Sequence, residues 1–140
     1  MNIEMFGATT TESNDIYKDF RTFEKHIASK VAKKYKRIDE QKKIAPGHVP
    51  DILVWDNKTI VSVKMQNVEG TAADKIAYEM WKLQEACDKY NWNNAVVVAG
   101  GPWWDTTRGS SMLNDMKEIS KLFKDVEIYR YEDDIELTYI

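Results

Sequence analysis

Residues 50–66 constrain the fold of this chain more than any other stretch. Pro50 is followed by Asp51-Ile52-Leu53-Val54-Trp55, the polar triplet Asp56-Asn57-Lys58, and then Thr59-Ile60-Val61-Ser62-Val63-Lys64-Met65-Gln66. Both runs are rich in β-branched and aromatic side chains, and a short turn joins them, so they read as a β-hairpin. Alternation in the second run puts Ile60, Ser62, Lys64 and Gln66 on one face and Val61, Val63 and Met65 on the other. The first face is polar and the second apolar. The pairing delivers Asp51, at a strand start behind a rigid proline, to the same sheet edge as Lys64.

Upstream, Ile16, Phe20, Phe23, Ile27 and Val31 recur at spacings of three and four, which predicts one amphipathic helix over 15–34. Ser13 or Asn14 is its expected cap, with Asp15 at its N-terminal dipole, and Gly7 to Asn14 reads as a polar loop. Tyr35 to Ile44 is polar and partly alternating, an edge strand broken by Pro46-Gly47. Downstream, 72–90 reads as a helix with Ile76, Met80, Leu83, Cys87 and Tyr90 on one face. Ala95-Val96-Val97-Val98-Ala99, closed by Gly100-Gly101-Pro102, has the continuous apolar character of a strand buried on both faces. Met112, Met116, Ile119 and Phe123 predict a helix over 110–123, and Val126 to Tyr131 alternates as a last strand. The order α-β-β-β-α-β-α-β predicts an α/β fold with a central mixed sheet flanked by helices. With 140 residues and no repeat or linker, a single domain over 1–140 is expected.

Hydrophobic residues make up 43% of the chain and charged residues 31%, enough apolar material for a core. No apolar window is long enough to span a membrane. The single Cys87 excludes an internal disulfide and a zinc site built from several cysteines. Met1 to Phe6 lacks the basic and apolar regions of a signal peptide, so a cytoplasmic protein is expected. The net charge of −3 argues against coating DNA by charge alone. The charge is uneven, however. Lys25, Lys30, Lys33, Lys34, Lys36, Arg37, Lys42 and Lys43 meet only Asp39 and Glu40 in their stretch, whereas the tail carries Glu127, Glu132, Asp133, Asp134 and Glu136. A basic strip centred on Lys33, Lys34, Lys36 and Arg37 is suited to phosphates.

An acid and a lysine on one sheet edge are what metal-assisted phosphodiester hydrolysis uses. That reaction needs an activated water, charge neutralisation at phosphorus and help for the leaving oxygen. Mg2+, with Mn2+ as a substitute, supplies most of this when two or three carboxylates converge on it. A nearby lysine orients or deprotonates the water. Asp51 is therefore the first metal-ligand candidate, Lys64 the water-handling residue, and Gln66 a hydrogen-bonding partner for the phosphate or the water.

These residues resemble the PD-(D/E)xK nuclease superfamily, which includes restriction endonucleases, Holliday-junction resolvases and many phage and repair nucleases. Pro50-Asp51 matches the "PD", Val63-Lys64 the "xK", and Ser62 stands where the family usually has Asp or Glu. A subset of type II restriction enzymes is similar, with Ser-x-Lys and a glutamate supplied by the next helix. Glu79 takes that part here as catalytic and metal-binding acid, and Glu69 is the second choice. The string SVKMQNVEGTAADKIAYE over 62–79 resembles phage and bacterial members with Lys-x-Gln followed by Gly-Thr-Ala. The resemblance implies a restriction-endonuclease-like αβββαβ core, matched from about Asp15 to Ala99, and a Mg2+-dependent DNA endonuclease. It also implies that Glu24 on the first helix and the carbonyl of Val63 complete the metal site. Cutting both strands would need two copies, hence a homodimer. Ser62 keeps two other readings open: a catalytically inert module that binds DNA or a protein, and a nuclease subunit that takes its specificity from a separate partner.

Further nucleic-acid contacts are expected beyond this core. Gly70-Thr71 presents main-chain N–H groups at a helix start, with Lys75 in the first turn, where an anion would pair with it. Trp103 and Trp104 are adjacent, and two such rings do not both enter one core from regular structure. One of them is expected to stack on a base, wedge a duplex or bury at a dimer interface. Arg108, in the same loop, is a candidate phosphate contact. His48 reads as structural.

Overall fold

The hairpin forms where the sequence places it, and the rest of the chain is layered around it. The computed structural model describes residues 15–70 and 75–140. In chain order these residues form α1 (Phe20–Lys34), β1 (Ile38–Glu40), β2 (Ile52–Val54), β3 (Thr59–Met65), α2 (Ile76–Tyr90) and β4 (Asn94–Gly100). A 3-10 turn (Pro102–Asp105), α3 (Thr107–Ser120) and β5 (Val126–Arg130) follow. The sheet is five-stranded with the order β1-β2-β3-β4-β5. Its first two pairings are antiparallel and its last two parallel. The architecture is thus α/β, a mixed sheet flanked by helices. Among the described residues, no helix is long and apolar enough to cross a membrane.

Two apolar layers sandwich the sheet. Ile52, Val54, Val61, Val63, Val96 and Val98 pack under Phe23, Ile27 and Val31 of α1. Leu53, Ile60, Val97 and Ala99 pack under Met80 and Leu83 of α2 and Leu113 and Met116 of α3. A helix of 15 residues such as α1 is marginal on its own, so packing holds it. Full burial of a side chain like Phe23 or Ile27 contributes roughly 1.5–3 kcal/mol.

Several sequence expectations need correction at this level. Helix α1 begins at Phe20, not near Asp15, because Asp19 takes the cap: its side chain accepts from the Thr22 N–H at 2.7 Å. Those hydrogen bonds hold the Asp19 carboxyl below the usual range. Ser13 and Asn14 lie outside the described residues, as do Thr71 and the expected first turn of α2 from Ala72. The edge strand shrinks to Ile38–Glu40, since Gln41 adopts a left-handed φ of 51° and turns the chain away. The polar face of β3 lies under a helix. Helix α2 covers it, and Ser62 is only 2% exposed.

The tryptophan expectation also fails. Trp103 and Trp104 are 5% and 1% exposed, and both rings belong to the core under α3. The irregular backbone makes this possible. Gly101 has φ +110°, and a Cβ there would stand 2.3 Å from the Gln66 carbonyl oxygen. Gly109 lies so close to the turn that a Cβ would be 2.1 Å from the Trp103 carbonyl oxygen. These two close approaches let a tight 3-10 turn send both rings inward, edge to face at 5.0 Å. Neither ring is placed to stack on a base.

Candidate functional site

Strand register builds the site. Val61 pairs with Ile52, and Glu40 pairs with Ile52 from the other side. Extending both ladders by one residue sets Gln41, Asp51 and Ser62 in a row across the sheet. The Gln41 N–H donates to the Asp51 carbonyl at 3.0 Å, which fixes that row. Helix α1 lowers Glu24 onto it from one face, and α2 lowers Glu79 from the other. Glu24 thus reaches Asp51 through Gln41, while Glu79 meets Lys64 and Ser62 on the opposite face.

Asp51 is held by the end of the ladder. Its Oδ2 accepts from the Val63 N–H at 2.7 Å, and its Oδ1 accepts from the Gln41 side-chain amide at 3.1 Å. Val63 points its carbonyl to the same side as its N–H, opposite Pro50 by register. Proline has no N–H, so that carbonyl receives no ladder donor there. Pro50 thus both stiffens the approach to Asp51 and leaves an oxygen available for other use.

The same Gln41 amide also donates to Glu24, so one neutral group bridges two carboxylates. Glu24 is 4% exposed. Its pKa is raised, first by burial and then by the charge of Asp51 against it. The Asp51 pKa is raised too, chiefly by burial, although the Val63 N–H and the charge of Lys64 oppose the shift. Gln41 went unnoticed in the sequence because it lies in a polar run without a motif. Its one distinguishing mark, a non-glycine left-handed backbone, is visible only in the structure, and such residues cluster at functional sites.

Glu79 fills the space that Ser62 leaves. One of its carboxylate oxygens pairs with Lys64, and the other accepts from the Ser62 hydroxyl. An acid in the position of Ser62 would occupy the same region. Glu79 thus sits against Ser62, whose position lies directly across from Asp51. Glu69, the second choice for this part, instead forms an exposed ion pair with Arg108 at 2.9 Å.

A divalent cation fits part of this constellation. Among the described residues, no three His, Cys, Asp or Glu side chains stand together as a ready-made cage. Mg2+ does not need one, since it keeps several waters and is commonly held by one or two carboxylates. Glu24 and Asp51, two crowded carboxylates with raised pKa values, and the Val63 carbonyl form a hard-oxygen set of that kind. Glu79 is tied to Lys64 and Ser62, on the other side of Asp51 from Glu24. A thiol mechanism is disfavoured: Cys87 is buried, which pushes its pKa up to about 11.

The other expected contacts scatter. Gln66 is buried, and its amide donates to the Gly70 carbonyl at 3.5 Å, which steadies the loop after β3. Lys75 is exposed at the N-terminus of α2, next to Glu79. The basic strip does not flank the site. The Lys36 and Arg37 N–H groups bond Asp56 in the hairpin turn, at the far end of β2 from Asp51. Five strand residues separate those ends, about 16 Å. Lys34 donates to the Leu137 carbonyl at 2.6 Å and so helps to fix the C-terminal segment. Lys33, two turns beyond Glu24 on α1, shares that distant end. His48 is structural, as expected: it bonds Glu85 at 3.0 Å and ties the turn before Pro50 to α2.

The crowded pair predicts a stability effect. Raised carboxyl pKa values mean that the folded state binds these protons more tightly than the unfolded chain. The resulting stability is complete below the ordinary carboxylate pKa and is lost as pH rises through the raised values. Glu24→Gln removes one of the two charges. Metal-free Glu24→Gln is expected to be about 1 kcal/mol more stable than the wild type at pH 8, with a smaller difference at pH 4. Urea melts in a chelator at both pH values measure this. Added Mg2+ is expected to stabilise the wild type more than the variant.

No family model, curated protein or solved structure matches the chain.

Proposed function

We propose that the chain is a Mg2+-dependent DNA endonuclease built on a restriction-endonuclease-like core. The observation that carries this reading is the meeting of four groups from four segments of the chain: Glu24 of α1, Asp51 just before β2, and Lys64 of β3 with Glu79 of α2 bonded to it. Ser62 alone argues for a dead site. The carboxylate of Glu79 against its hydroxyl argues for a relocated acid instead.

The bound ion would neutralise charge on the scissile phosphate and lower the pKa of a water, with Mn2+ able to replace Mg2+. Glu24, Asp51 and the Val63 carbonyl would hold it, while Glu79, expected from the sequence as a further ligand, is engaged by Lys64 and Ser62. Lys64 pairs with Glu79 and its charge is felt at Asp51, so its ammonium can position the attacking water or offset phosphate charge. Glu79 restrains Lys64 in the resting protein and is the acid to which a water proton can pass. Gln41 and the Asp51–Val63 bond keep Asp51 in one orientation. Cleavage of both strands at one locus calls for two copies, so a homodimer on DNA is part of the proposal.

Nicking of supercoiled plasmid tests it. Wild type with Mg2+ or Mn2+ is expected to give open-circular and then linear DNA, and a chelator to stop the reaction. Lys64→Ala is expected to lower the rate by about 10²–10⁴-fold. A wild type that binds plasmid but never nicks it would replace this reading with the inert binding module. Nicking that appears only after a second protein is added would replace it with the subunit reading.

A further inference from the structure

Helix α2 carries a second feature beside Glu79. Tyr78 and Trp81 are 65% and 51% exposed, one helical turn apart, with ring planes at 19° and centroids 6.0 Å apart. Large aromatic side chains are rarely left side by side in water without a partner. Tyr78 also lines a groove of about 310 Å³ that runs between α2 and the turn at Gly47–Pro50. Pro50 and Glu79 form part of its wall, so the groove adjoins the candidate site. Its volume falls at the lower end of small-ligand pockets.

The groove is preformed. Lys82 donates to the Gly47 carbonyl at 2.7 Å, and His48 bonds Glu85 at 3.0 Å, so both walls are tied together. Lys75 and Lys82 flank it, and among the described residues neither has an ion-pair partner. The acids nearby are already engaged: Glu79 with Lys64 and Ser62, and Glu85 with His48 and Lys89. An exposed ring on the groove wall, two cations without an acidic partner among the described residues and the adjoining proposed cleavage site are complementary to one class of occupant.

We propose that this groove seats an unpaired nucleotide of the strand to be cut, with Tyr78 on the groove wall as its stacking ring, Trp81 stacked outside the groove to hold Tyr78 in place, and Lys75 and Lys82 facing its phosphates. The inference rests on the nuclease reading and adds the substrate class: DNA with a single-stranded or frayed section beside the cleavage point. Stacking on an aromatic side chain is tolerant of base identity, so no base preference is expected from this seat.

The test is fluorescence anisotropy in a chelator, with a labelled oligothymidine and a blunt duplex of mixed sequence as probes. Wild type is compared with Tyr78→Ala, Trp81→Ala and Lys75→Ala, each checked for native helix content. Tyr78→Ala and Trp81→Ala are each expected to weaken oligothymidine binding about tenfold or more, with duplex binding unchanged. Equal losses on both probes, or no loss on oligothymidine, would overturn the inference. Sedimentation velocity provides the remaining arm. If Tyr78→Ala turns a dimer into a monomer while oligothymidine binding persists, a second copy of the chain occupies this face and the inference falls. Plasmid nicking by wild type separates the two proposals. Nicking without selective loss in Tyr78→Ala sinks the nucleotide seat alone. Selective loss without nicking sinks the nuclease alone.

Discussion

Asp51→Asn is expected to lower the rate of DNA cleavage by about 10³-fold or more while leaving the protein folded. The substitution keeps size and shape. The asparagine carbonyl can still accept from the Val63 N–H, the bond that ends the β3 ladder. What changes is charge. Asp51 already carries a raised pKa because burial opposes its ionisation, and Glu79 adds repulsion to that. Removing its charge therefore costs the metal-free fold little and can stabilise it. A cation loses one of its two crowded carboxylates. Heats of Mg2+ binding are expected to shrink together with activity, whereas the urea midpoint holds or rises. A variant that loses activity only because it unfolds would show the opposite pairing.

Glu79→Ala is expected to be nearly as damaging, with a loss of about 10²–10³-fold. Two effects combine. Lys64 loses the carboxylate that restrains it, and the site loses the acid that stands in for position 62. The second effect permits a relocation experiment. In Ser62→Asp combined with Glu79→Ala, a carboxylate returns to the same region from the strand instead of the helix. Ser62 is buried under α2, so the aspartate is desolvated, but Lys64 is next but one along the same face to pair with it. Partial recovery of cleavage over Glu79→Ala alone is expected. Full activity is not, because an aspartate on the strand cannot reproduce both contacts that Glu79 makes.

Much of this arrangement was legible in the sequence because it depends on strand register. Pro50-Asp51 and Ser62-x-Lys64 lie on two strands with a short turn, and a two-residue period leaves little freedom in which side chains share a face. The mixed sheet and the crossover through α2 followed from the same alternation and from the apolar run of β4. The legible part ended where irregular backbone decided the outcome. The fate of Trp103 and Trp104 turned on Gly101 and Gly109, whose close approaches to neighbouring carbonyls have no signature beyond the glycine itself. Gln41 became the bridge between Glu24 and Asp51 through a left-handed turn after β1, again without a pattern to announce it. The basic run was visible, but its position was not. A helix carries Glu24 and Lys33 to different ends of the sheet, and composition alone does not say which end meets the site. Lys82 and His48, which pin the turn before Pro50 to α2, were likewise invisible as a pair until their partners on the two elements were brought together.

The most direct experiment is a side-by-side plasmid-nicking time course with wild type, Glu79→Ala, and Ser62→Asp combined with Glu79→Ala, in Mg2+ and in Mn2+. A displaced acid predicts metal-dependent nicking by the wild type, its near loss in Glu79→Ala, and measurable return in the combined variant. Nicking that ignores Glu79→Ala, or no nicking by wild type with either metal while plasmid remains bound, would contradict it.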